Sequence, residues 1–97
     1  MAQTDQLARM FKVLSVETRV RMIRLLRPHP LCVNALARQL GITPAAVSQH
    51  LRVLRDAGIV SGIKQGYFVH YRLNTKVLER WRKLAGELLG DEKSKMS

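Results

Sequence analysis

Ser48, Gln49 and Arg52 are spaced to stand together on one face of a helix. Each carries a side chain that can hydrogen-bond at the edge of a base pair: glutamine to adenine, arginine to guanine or to a phosphate, serine to several partners. Thr43 and Ala45 fall at the entrance of the same segment, where short side chains let the backbone approach a partner closely. This is the chemistry of recognition rather than of bond making. The 97 residues contain no nucleophile with a base and an orienting acid, no phosphate-cradling glycine loop and no paired carboxylates, so no enzyme is expected. A solvated helix face of ordinary function would carry the same residue types, and the surrounding chain must separate the two readings.

Other reactive side chains are few. Cys32 is the one cysteine, which excludes an intrachain disulfide framework and a cysteine-rich zinc site. It reads as a small buried hydrophobe, as a redox- or electrophile-sensing thiol, or as one ligand of a site shared between two copies. Arg38 follows at i+6 and is not its close helical neighbour. His50 directly precedes Leu51 on the side that meets a neighbouring helix, and a packed, hydrogen-bonded imidazole is expected there. His70 shares a strand face with Phe68 and Arg72, while His29 lies between two prolines. Arg19, Arg21, Arg24 and Arg27 could touch a polyanion or form a solvated face.

The elements that position these groups are legible from periodicity. Thr43 is a good N-cap, Pro44 suits the first helical position, and Gly58 supplies a left-handed stop. Between them Val47, Leu51 and Leu54 recur at i, i+4 and i+7 and form one apolar stripe. Upstream, 4–14 reads as a helix with Leu7, Met10, Phe11 and Leu14 on one face. A second helix, capped by Ser15, turns Val20, Ile23 and Leu26 inward and ends at Pro28. A third spans about 33–40, and Gly41-Ile42 turns into the Thr43 helix, giving a helix-turn-helix. Downstream, Ile59, Val60 and Ile63 are strand-like, Gln65-Gly66 suits a hairpin turn, and 67–73 alternates as a second strand. A last helix runs to about Leu89, closed by Gly90. The expected fold is mainly α with a β-hairpin wing, a winged helix-turn-helix in the order α-α-α-α-β-β-α.

Charge and length narrow the partners. Seventeen Lys and Arg against seven Asp and Glu leave a net charge of +10, which favours nucleic acid. No run approaches the roughly 18 apolar residues of a membrane span, and no signal peptide is visible, so a cytoplasmic protein is expected. The length suits a single domain over 1–97, with a polar tail from about 91 to 97. The first and last helices carry more apolar surface than so small a core needs. Leu7, Met10, Phe11, Leu14, Trp81, Leu84 and Leu88 are therefore assigned to a homodimer interface. Two-fold symmetry would also set two reading helices about one DNA turn apart.

Together these residues resemble the ArsR/SmtB family of bacterial winged-helix repressors. The resemblance is carried by 14–26, by Leu31-Cys32-Val33-Asn34-Ala35-Leu36-Ala37, most strongly by 44–60, and by the wing 66–73. It covers roughly residues 7–89. It implies a homodimer on a palindromic operator that represses transcription until an inducer, often a metal ion or arsenite, releases it. By the same resemblance Ser48, Gln49 and Arg52 would face the major groove, Thr43 and Ala45 would lie at the helix entrance, and Lys64 and Gln65 would approach the backbone or minor groove. Two departures stand out. The family's metal-binding Cys-X-Cys is here Cys32-Val33-Asn34, and the last helix holds Glu79 and Glu87 but no histidine. Zinc wants about four N, S or O ligands, so no metal and no cofactor is expected, and the inducer stays open. The wing is also sparsely basic, with Lys64 alone near its tip. The competing function is a winged-helix protein-interaction or RNA-binding module, but the short-chained polar face of 43–56 suits duplex DNA better than an RNA groove.

Overall fold

Helical and strand periodicities alternate along the chain, and the elements follow them. In the computed structural model, which describes residues 2–90, they are α1 (Ala2–Leu14), α2 (Glu17–Leu26), β1 (Leu31–Cys32), α3 (Val33–Leu40), α4 (Pro44–Asp56), β2 (Val60–Gln65), β3 (Phe68–Leu73) and α5 (Thr75–Leu89). The expected tail at 91–97 lies outside the described residues.

The core is built by the apolar stripes of the middle helices and the first residues after α4. Met22, Leu36, Val47, Leu54 and Ile59 are fully enclosed, and Leu26 and Leu51 are buried beside them. Each such side chain contributes roughly 1.5–3 kcal/mol relative to an exposed one. Among the described residues no polar or charged side chain is buried in this core. Val20, expected inward, is half-buried, and Met22 fills the position more deeply.

Local chemistry sets the boundaries. Gly41 ends α3 in the left-handed conformation (φ 69°), where a β-carbon would be strained. α4 closes with the Gly58 amide donating to Arg55 O and the Ile59 amide to Leu54 O, both at 2.9 Å. That pair of bonds is a Schellman ending, with Gly58 at φ 79°. α2 differs from expectation: Val16 stands at its N-cap without a side-chain bond, and the Ser15 hydroxyl instead donates to Lys12 O at 2.7 Å. Ser15 thus closes α1 rather than opening α2.

The sheet also departs from the expected hairpin. β1, β3 and β2 form a three-stranded antiparallel sheet in that order, with Leu31 opposite Tyr71 and Cys32 opposite His70. The β1 strand is an addition to the expected order of elements. Its two residues acquire strand character only by pairing with a segment far along the chain. The wing register places Gln65 opposite Phe68, so the turn is Gly66-Tyr67, one residue later than expected. Gly66 at φ 63° is the first central residue, as a two-residue hairpin requires. Gly62 lies opposite Tyr71, and a β-carbon there would come within 2.8 Å of Val69 Cγ1 and 3.2 Å of Tyr71 Cε1.

α1 and α5 pack against each other at one side of this body. None of the residues of α5 is buried, although Val77, Leu78, Trp81, Leu84 and Ala85 face inward enough to be half-buried. Five helices with a helix-turn-helix at α3–α4 and a β2–β3 wing make a winged helix-turn-helix, as the sequence predicts.

Candidate nucleic-acid interface

α4 is held by its inner stripe and offers its outer one. Val47, Leu51 and Leu54 are at most 2% exposed, which leaves the helix little freedom to roll. The opposite positions, Ala45, Ser48, Gln49 and Arg52, are all exposed and lie at i, i+3, i+4 and i+7. The structure therefore brings these four predicted residues onto one open face. At its start, Thr43 Oγ1 accepts from the Ala46 amide at 3.1 Å, and Pro44 occupies the first turn. That turn carries no acidic residue, so the positive end of the helix dipole is left for an anion. Arg52 and Arg55 extend the positive character along the exposed side.

Lys64 and Gln65 are exposed at the far end of β2, beside the wing turn. Two aromatic residues there escaped sequence reasoning. Tyr67 is 100% exposed and Phe68 56% exposed, so the tip presents rings beside a lysine and a glutamine. The strand alternation was the available signal, since Phe68 falls on the face opposite Tyr71.

One positioning residue was also missed. Arg19 is not part of a solvated arginine face. Its Nε donates to His50 Nδ1 at 3.4 Å and its guanidinium donates to Val13 O at 3.2 Å, tying α1, α2 and α4 together. Arg21, Arg24 and Arg27 remain exposed. Burial, with the nearby Arg19 charge adding to it, holds the His50 imidazole below its ordinary pKa of 6.5. His50 is therefore a packed acceptor on the inner flank of the reading helix.

Cys32 is a half-buried free thiol opposite His70. His70 Nδ1 is enclosed and makes no hydrogen bond among the described residues. Two donors are too few for a thiolate metal site, and no group of three His, Cys, Asp or Glu among the described residues is placed to hold an ion.

The residues assigned to dimerisation divide. Phe11 and Leu88 are open, at 40% and 57% exposure, while Leu7, Leu14, Trp81 and Leu84 are half-buried. Met10 departs from the expectation of an open patch residue: at 2% exposure it is already enclosed within its own protomer. Its place in the α1–α5 seam, beside Trp81 and Leu84, accounts for this.

A rigid helix with an open hydrogen-bonding face, a glycine turn before it and a hairpin after it define a winged helix-turn-helix protein of the DNA-binding class. Residues 17–61 match the arsR family of bacterial regulatory proteins, and the chain belongs to that family. It is 33% identical over 69 residues to the transcriptional repressor SdpR of Bacillus subtilis, covering 71% of this chain and 77% of that protein. It is 39% identical to the arsenical resistance operon repressor of Escherichia coli, over 70% of this chain and 59% of the relative. It thus spans less than two thirds of that second protein. Its fold superimposes with a TM-score of 0.73 and 27% identity on the homodimeric winged helix-turn-helix DNA-binding domain of a possible ArsR-family regulator from Mycobacterium bovis, covering 94% of this chain and 83% of that one. No helix among the described residues is long and apolar enough to cross a membrane.

Proposed function

We propose that the chain is a cytoplasmic, homodimeric repressor of a palindromic operator. The observation that carries this reading is the exposed Ala45, Ser48, Gln49 and Arg52 face on a helix clamped by Val47, Leu51 and Leu54. Gln49 and Arg52 read base edges in the major groove, Ser48 and Ala45 allow close approach, and the first turn behind Thr43 binds a phosphate. Lys64 and Gln65 touch the backbone or minor groove beside the wing. Leu7, Phe11, Leu14, Trp81 and Leu88 meet a second copy, with Met10 beneath them and Leu84 turned to the other side of the seam, and place the two reading helices about 34–36 Å apart. The +10 charge supplies the salt-dependent share of the affinity.

The test is binding to a palindromic promoter fragment, to random duplex DNA and to duplex RNA of equal charge, at moderate salt. The fragment should be preferred over random duplex by at least about a thousandfold. Equal affinity for all three would end the repressor reading. Gln49→Ala should cost roughly 1–3 kcal/mol on the operator and flatten the preference at one base position. The repressor works without a bound metal or cofactor, so chelator-treated protein should hold the operator undiminished. Cys32 has no part in release if Cys32→Ser keeps whatever response to oxidant the wild type shows.

A further inference from the structure

The seam between α1 and α5 has two flanks, and they differ in chemistry. Trp81 and, beneath the surface, Met10 are shared by both. On one flank Phe11 and Leu14 of α1 face Leu78 and Ala85 of α5. Leu89, 75% exposed, continues that apolar line, because residues 78, 85 and 89 recur at i, i+7 and i+11. This is the flank suited to a second copy of the chain.

The other flank is a groove of about 480 Å³, within the range that takes small organic ligands. Val13 and Leu84 extend its floor on either side of Met10 and Trp81. Its rim carries Arg9, Lys12 and Arg80 against the lone carboxylate of Asp56. None of these three cations has a hydrogen bond or ion pair among the described residues. An apolar floor under an unneutralised cationic rim is complementary to a molecule with a flat apolar body and a negative end. The third wall is the C-terminal end of α4, through Val53, Asp56 and Ala57. A ligand here therefore touches the reading helix and both dimerising helices at once.

We propose that this groove binds an amphipathic organic anion, an aromatic carboxylate in its simplest form, and that its occupancy lowers operator affinity. The body lies on Val13, Trp81 and Leu84, with Met10 beneath them, and the carboxylate is held by the Arg9, Lys12 and Arg80 rim. The second half of the proposal rests on the repressor reading above. A ligand shifts the reading helix only by binding its two arrangements unequally, and contact with α4 supplies the means.

The chain has one tryptophan, so its indole N–H gives one resonance in the ¹⁵N-labelled protein, and that residue lines the groove. Cinnamate and indole-3-acetate should shift this resonance saturably, and cinnamyl alcohol should bind at least about tenfold more weakly. Arg9→Gln and Arg80→Gln, both at exposed positions, should weaken cinnamate about tenfold and leave cinnamyl alcohol unchanged. No saturable shift, equal binding of acid and alcohol, unaltered affinity in both variants, or the same saturation by inorganic phosphate alone would overturn the site. Saturating cinnamate should then lower operator affinity at least about fivefold, and unchanged or raised affinity would overturn the effector role. The ligand-free protein is measured on operator and random duplex in the same series. A loss of preference there refutes the repressor reading, while the indole titration still decides the groove.

Discussion

Thr43→Ala isolates the start of the reading helix from everything beneath it. The first turn of α4 has few amides to satisfy: Pro44 brings none, the Val47 amide already donates to Thr43 O at 3.1 Å, and the Ala46 amide donates to Thr43 Oγ1 at 3.1 Å. Removing the hydroxyl leaves the Ala46 amide to water while the buried stripe of Val47, Leu51 and Leu54 stays intact. The bond is exposed, so water replaces part of it, and the expected loss is about 1 kcal/mol, within the usual 0.5–2 for such caps. For a domain of this size that is a fall in Tm of about 4–8 °C. Urea unfolding should show a lower midpoint with an unchanged slope, because no new surface is exposed. Protein concentration must be held constant, since association of two copies makes the midpoint concentration-dependent. Thr43→Ser should recover most of the loss. Operator affinity should fall about fivefold with Thr43→Ala, the frayed turn having to be reordered on binding. A loss below about 0.3 kcal/mol, or a serine variant as weak as alanine, would refute the capping argument.

Leu54→Ala empties a fully enclosed site between α4 and the core and should cost about 2–5 kcal/mol by denaturant titration, enough to unfold much of the protein at 37 °C. Phe11→Glu, at a residue 40% exposed, should leave the fold intact but yield monomers by sedimentation and abolish tight operator binding; persistent dimers would move the interface elsewhere. His50 carries a pH signature: its folded pKa lies below 6.5, so between those values the unfolded chain binds the proton that the fold resists. Stability should therefore fall as pH drops below about 6.5 and level off under the folded value, and His50→Asn, which keeps an acceptor for Arg19 Nε, should flatten that part of the profile.

What sequence could disclose depended on how local its cause was. The α4 boundaries were readable because Thr43, Pro44 and Gly58 act on amides and carbonyls within a few residues of themselves. The open face of Ala45, Ser48, Gln49 and Arg52 followed from the stripe on its other side. β1 was not readable, since Leu31 and Cys32 become a strand through partners forty or so residues later. Arg19 looked like one of four similar arginines until the fold set His50 and the Val13 carbonyl beside it. Met10 has the periodicity of an interface residue, but whether its own α5 or a partner's covers it is a tertiary outcome. The wing turn slipped by one residue because both dipeptides contain Gly66, and the Gln65–Phe68 register decides between them.

The short β1 strand has a mechanical consequence for the wing. It grips β3 at His70 and Tyr71, beside the start of α3, and leaves the pairs from Lys64–Val69 to Gln65–Phe68 supported by each other alone. The wing is therefore a cantilever with a three-strand root and a two-strand tip. Its root inherits the orientation of the helix-turn-helix, while Tyr67 at its end can bend without disturbing α4. On the proposed operator, such a lever would follow small variations in groove width without moving the reading helix.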